Sequence, residues 1–213
     1  MKYEIQIDIV EKMFRTSSSN KLLARSMKQL IPKKNERFKY VLALVVSILL
    51  AYMIAISEDT IPIFRDCVQI LTDVAIALFG IVFTGYALFQ ALIGKEMLIR
   101  MLQSTVIKDK EEKSKLQETN EIFAEIMMLE FVCIIIGVIL LLLLNCLPEK
   151  YIVFRNMILN NSFAGIGIYI YLYLSFITLV EMKSFIFNIV ELFNFHAGTR
   201  VMEMLQADVK QDE

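Results

Sequence analysis

Residues 131–144 read Phe-Val-Cys-Ile-Ile-Ile-Gly-Val-Ile-Leu-Leu-Leu-Leu-Leu, a run with no polar face to turn toward water. A helix that is apolar all round is either the centre of a large core or a membrane span. A chain of 213 residues offers little protein to surround such a helix, so the soluble helical bundle is the weaker reading. Crossing a bilayer takes about 20 mostly apolar residues, and four stretches qualify: 40–57, 74–93, 131–147 and 158–180. The third begins nearer Ile122 or Ile126, which leaves Glu130 at or below the headgroup level. The composition agrees, with 57% hydrophobic residues and a mean hydropathy of +0.58, against roughly 45–50% apolar residues in soluble domains. The expected fold is all-α: a polytopic membrane protein of four transmembrane helices.

Lysine and arginine set the orientation. Ten precede the first span, six lie in the loop 94–121 and three follow the last span, against one and two in the other two loops. The positive-inside rule then puts both termini and the middle loop in the cytoplasm, with helices extended on that side and only tiny loops outside. No secretory leader is visible, because the first apolar run follows a long charged segment. The chain divides into a cytoplasmic amphipathic segment 1–37, a transmembrane domain 38–180 with its loop 94–121, and a cytoplasmic helical tail 181–213.

Seven Gly, three Pro, three Cys and one His leave little material for a phosphate-binding glycine loop, a disulfide framework or a zinc cluster. No enzyme, metal or cofactor is expected, and His196 has no ligand or carboxylate neighbour at useful spacing. Cys133 lies within a span. Cys67 and Cys146 fall near the outer ends of the second and third helices, where they pair only if those ends touch.

In the amino-terminal segment, residues 3–14 fit a strand and a short helix equally well. A polar turn at 16–20 offers Ser19 or Asn20 as the cap of an amphipathic helix over 21–31, with Leu22, Leu23 and Met27 on one side and Pro32 ending it. Such a helix lies in the headgroup layer. Alternatively it belongs to a basic collar of Lys21, Arg25, Lys28, Lys33, Lys34, Arg37 and Lys39 that holds a phosphate-bearing ligand or an acidic partner. The mixed-charge run 108–115 reads as a solvated helix or the tip of a helical hairpin. Glu125 and Glu130 are expected to pair with the collar. Beyond 180, Phe185, Ile189 and Leu192 share a helical face, and Gly198 breaks the helix before a last short one.

Asp73, Ala77, Gly80, Thr84, Ala87, Ala91 and Gly94 recur at spacings of 4 and 3 along the second span, one continuous seam of small or polar residues. Close helix approach follows, either to a neighbour in the same chain or to other copies around a symmetry axis. Asp73 sits at the outward end of that span, at the interface or as an acidic ring at a pore mouth that favours cations. Phe79, Phe83 and Tyr86 form the adjacent bulky stripe, a hydrophobic gate or a lipid-facing surface. On the fourth span Asn161, Gly165, Tyr169 and Tyr173 make a second stripe suited to hydrogen bonding between helices.

Two functions follow. One is a homo-oligomeric channel or membrane-perturbing effector controlled from the cytoplasmic side. The other is a non-conducting membrane anchor, scaffold or sensor subunit that recruits a cytoplasmic partner protein. The layout, an amphipathic start and four spans with tiny outer loops, resembles the small membrane proteins of bacterial anti-phage defence systems, such as the membrane component of Kiwa or the channel effector of Hailong. The likeness lies in architecture and brings no residue roles. It implies a tetrameric or similar assembly in the bacterial inner membrane, inactive at rest, gated by a nucleotide-derived ligand or coupled to a cytoplasmic effector.

Overall fold

The computed structural model describes residues 18–29, 37–108, 111–149 and 151–211. The expectations for 3–14 and for Lys33 and Lys34 lie outside the described residues. Within them the chain forms helix α1 (Ser19–Gln29), α2 (Arg37–Ala55), α3 (Thr60–Leu92), α4 (Lys95–Gln103), strands β1 (Thr105–Lys108) and β2 (Glu111–Ser114), then α5 (Lys115–Cys146) and α6 (Met157–Gln211). Four of these, α2, α3, α5 and α6, are long and apolar enough to cross a membrane.

Local chemistry sets the helix ends. Ser18, one residue before the expected cap, accepts the Lys21 amide at 3.4 Å and starts α1. The Ser114 hydroxyl accepts the Gln117 amide at 3.2 Å and starts α5. Asn156 accepts the Ile158 amide at 2.9 Å ahead of α6. That last helix runs unbroken through Gly198, correcting the expected break. Glycine in a helix costs about 1 kcal/mol relative to alanine but clashes with nothing. The charged run after α4 is also not helical: Thr105 to Lys108 pair antiparallel with Glu111 to Ser114, with Thr105 opposite Ser114. Val106, Ile107 and Thr105 favour the extended chain, and the strand pair ends where Ser114 begins α5.

The four long helices alternate in direction. α2 lies along α6, and α3 along α5. Lys39 donates to Glu181 at 2.9 Å at one end of the first pair, and Gly165 meets Ala55 at the other. α2 has 19 residues, about 28 Å at 1.5 Å per residue, close to the roughly 30 Å of a bilayer core. At the level of α2 the outer surfaces of α5 and α6 expose Ile135, Val138, Ile139, Leu142, Phe163 and Ile166, and together these make an apolar belt. α3, α5 and α6 run well past the belt at the end that carries α1 and the carboxyl-terminal half of α6, here called the terminal end.

Three hydrophobic clusters hold the described bundle, the smallest being Tyr40, Ala43 and Ile177 between α2 and α6. Near the loop end, Phe64, Val68, Leu144, Ile168 and Tyr171 pack together with Ala51 and Ile54. Beyond the belt, Val82, Phe89, Met97, Met101, Leu116, Phe123 and Phe185 form a second core. There the Phe123 ring stands edge-on to Phe185 at 5.4 Å and stacks on Phe89 at 6.0 Å.

Glycine decides where α3 and α5 touch. A Cβ built on Gly137 overlaps the Thr72 hydroxyl and lies 3.2 Å from the Thr72 Cβ, whereas one on Gly80 meets nothing within 4 Å. The intrachain close approach is therefore at Gly137, not along the Gly80 seam. Gly137→Ala is expected to lower the protomer's stability by about 1–3 kcal/mol, as overpacking does. Gly80→Ala should leave it unchanged or slightly raised. Thermal unfolding of both variants in one detergent checks the contrast.

Candidate functional site

Pairing of α3 with α5 fixes the height of every polar group on α3. Arg65 donates to the Leu144 carbonyl at 3.0 Å, Thr72 meets Gly137, and Gln90 donates to Asn120 at 3.2 Å. In this register the apolar run of α5 lies beside the first half of α3, which carries Arg65, Asp66, Gln69 and Asp73. Asp73 stands about 20 Å along α3 from Thr60 and one residue beyond Thr72, level with the middle of the belt. The helix that carries it begins at Thr60, well before Val74.

All six seam residues carried by α3, Asp73, Ala77, Gly80, Thr84, Ala87 and Ala91, are exposed, and so is Gly94 at the start of α4. The seam faces away from the rest of the chain. The Gln69 amide donates to both Asp73 carboxylate oxygens, at 3.0 and 3.1 Å, and the Thr84 hydroxyl donates to its own helix at the Gly80 carbonyl, 2.8 Å. Past the belt α3 exposes Ile81, Phe83, Leu88 and Leu92. Its outer surface thus mixes Asp66, Gln69 and Asp73 with exposed Ile63, Ile70, Val74 and Ile76 at the level of the belt, and is apolar beyond it.

The proposed gate residues do not act as one stripe. Phe83 is exposed, Phe79 is half-buried, and Tyr86 packs inward against Phe123 with ring centroids 5.2 Å apart.

The collar residues are likewise dispersed. Lys21 and Lys28 are exposed. Arg25 lies 3.2 Å from Glu121, and Lys39 is held by Glu181, which also accepts the Tyr40 hydroxyl at 3.3 Å. Arg37 begins α2, and nothing is described of its side chain. α1 packs on α5, with Ser26 fully buried and Leu23 and Met27 facing outward. Glu121 takes a second cation, Lys113 of β2, at 2.7 Å, so one carboxylate joins α1, the strand pair and α5.

Glu125 and Glu130 were expected to meet the collar as well. Both are buried, and Glu130 is 1% exposed. Glu130 shares the inward face of α5 with Cys133, Gly137 and Leu144, which carries it into the bundle. There it lines a small cavity with Cys133, Tyr171, Ser175 and Thr178. Its Oε2 has no hydrogen-bond partner. Around it the Thr178 hydroxyl donates to the Ser175 carbonyl at 2.7 Å, and the Cys133 thiol lies 3.9 Å from Thr178 Oγ1. Deeper in the belt, Thr72 donates to the Val68 carbonyl at 2.7 Å, and Tyr171 reaches the same carbonyl at 3.4 Å. On the fourth span the buried tyrosine is Tyr171, while Tyr169 and Tyr173 stack half-buried at 5.8 Å. A carboxylate with apolar neighbours in sequence gave no signal of this environment except its i+3 and i+7 relation to Cys133 and Gly137.

A larger cavity of about 230 Å³ opens at the terminal end between α5 and α6, lined by Met101, Lys115, Glu118, Phe185, Glu191 and Phe195 among others. Lys115 stands 5.6 Å from the Phe195 ring centre. Cys67, Cys133 and Cys146 are free thiols. Among the described residues no group of three or more His, Cys, Asp or Glu side chains is placed to hold a metal ion. Compared with family models, curated proteins and solved structures, the chain matches none.

Because Glu121 ties α1 and the strand pair to α5, Glu121→Gln is expected to raise amide exchange in 19–29 and 105–114 while leaving the belt helices protected. Hydrogen exchange read by mass spectrometry tests this, and uniform behaviour along the chain contradicts it.

Proposed function

We propose that the chain inserts into a bacterial inner membrane through α2, α3, α5 and α6, with both termini in the cytoplasm. There it assembles as a homo-oligomer around α3, whose seam lines a cation-favouring path. The observation that carries this reading is the exposure of Asp73 on the outside of the protomer at mid-belt height. Against hydrocarbon an aspartate at that depth costs about 2.5–3.5 kcal/mol on insertion scales. Facing water and neighbouring copies, it keeps its charge solvated.

The rest of the α3 face fits the same arrangement. Alanine, glycine and threonine at heptad spacing let helix backbones come close, and the apolar residues Ile81, Phe83, Leu88 and Leu92 continue the contact beyond the belt. Closed rotational symmetry brings like faces around one axis, so each copy contributes an Asp73 to one ring. A ring of carboxylates concentrates cations and repels anions. The tetramer is the copy number that the layout's resemblance to defence membrane proteins implies, and the same resemblance extends the proposal to an antiviral effector. Among the described collar side chains, Lys21 and Lys28 on the surface of α1 are placed to meet an anionic ligand or an acidic cytoplasmic partner.

Ala77→Cys, in a chain whose Cys67 and Cys146 are serine, is expected to cross-link between copies under mild oxidation. Gly80→Leu should reduce the oligomer to smaller species while the protomer unfolds at its usual temperature. In planar bilayers Asp73→Asn should shift the reversal potential under a salt gradient toward zero as cation preference falls. A monomeric mass in detergent, joined to absent conductance, removes the path and leaves the anchoring role.

A further inference from the structure

We infer that the segment 151–159, which leads into α6 at the loop end, is an interfacial anchor seated in the lipid headgroup and upper acyl layer. Its apolar side chains are turned outward. Ile152, Met157 and Ile158 are 66%, 74% and 76% exposed, and Tyr151, Val153 and Leu159 are roughly half exposed. A contiguous exposed patch of this kind marks a contact surface rather than a face made for water. Two contacts fold the segment back along α6. The Phe154 ring stands edge-on to Phe163 at 5.6 Å, and the Asn160 side-chain oxygen accepts the Val153 amide at 2.9 Å and the Phe154 amide at 3.4 Å. Phe163 lies about 9 Å along α6 from Met157 and belongs to the apolar belt, so the segment dips to the edge of the belt instead of standing above it.

Irregular backbone that enters a layer short of water must find its hydrogen bonds within the protein. Here the Tyr151 amide donates to the Pro148 carbonyl at 3.1 Å, Asn160 takes the Val153 and Phe154 amides, and the Asn156 side chain takes that of Ile158. Arg155, also exposed, keeps its stem among apolar neighbours and its guanidinium at the lipid phosphates. Tyr151 adds the apolar ring and polar tip typical of the membrane–water boundary. Lipid is the occupant because the patch continues on α6 into exposed Phe163, Ile166 and Ile170, which the belt turns to the bilayer, whereas the face proposed for self-association lies on α3. The inference rests on the membrane insertion proposed above and not on the assembly.

The chain contains no tryptophan, so Phe154→Trp and, in a separate protein, Phe163→Trp each give a single fluorescent reporter. The full chain is reconstituted in phosphatidylcholine vesicles, with or without bromine on the upper acyl chains, and iodide is supplied on both aqueous sides. Both reporters should lose most of their emission to the brominated lipid and little to iodide. Asn160→Ala, combined with Phe154→Trp, should raise the loss to iodide by releasing the two amides. Tyr151→Trp serves as the loop reporter if Phe154→Trp does not fold. Lipid quenching of Phe163→Trp with iodide access to the loop reporter puts the segment in water, and protection of the loop reporter from both quenchers puts another copy over it. Either result overturns the inference and leaves membrane insertion standing. Should the brominated lipid quench neither reporter, the membrane reading falls with it.

Discussion

The fit of Thr72 against Gly137 governs the placement of everything else on α3. No other residue type leaves room for that hydroxyl, and sliding the pair by one turn drives a branched side chain of α5 into α3. The Arg65 guanidinium fixes the same register from the loop end by adding a second hydrogen bond to the Leu144 carbonyl, which also accepts the Leu147 amide at 3.3 Å. Once the register is set, the polar half of α3 lies beside the most apolar run of the chain. That offset makes the outer face of α3 unlike those of α2, α5 and α6.

Much of this architecture was legible in the sequence. Each of the four apolar runs lies on one long helix, with α2 covering most of 40–57 and α6 beginning one residue before 158 and continuing well past 180. The expected run 74–93 covers only the later part of α3, which starts at Thr60. Arg65, Asp66, Gln69 and Asp73 lower the apolar content of its first half, and a composition reading judges each helix alone, whereas packing judges it against its partner. The strand pair was missed for a related reason: Lys108, Glu111, Glu112 and Lys113 suggest a solvated helix by charge, while Thr105, Val106 and Ile107 just before them favour extended backbone. Gly198 was read as a stop because glycine often ends helices, yet nothing downstream offers the left-handed cap that a stop requires.

The seam was visible as a spacing but not as a direction. Heptad recurrence of small residues predicts close approach without naming the partner, and among the described residues the seam is exposed. Glu130 shows the converse. Its neighbours in sequence gave it the look of an interfacial carboxylate, and only the face it shares with Cys133 and Gly137 turns it inward. Of the collar residues whose side chains are described, Arg25 and Lys39 are drawn into intrachain pairs by Glu121 and Glu181, while Lys21 and Lys28 stay exposed.

Two acidic residues thus occupy the belt region in opposite ways, and the difference is one of packing rather than chemistry. Asp73 is turned out, with the Gln69 amide as a local donor, where only an aqueous or protein neighbour avoids the cost of hydrocarbon. Glu130 is turned in and 1% exposed, beside Cys133, Ser175 and Thr178, where a bare charge is costly. The two placements differ in cost: a buried carboxyl must be neutralised or given a partner, whereas an exposed one needs only a polar neighbour, which the Gln69 amide supplies to Asp73.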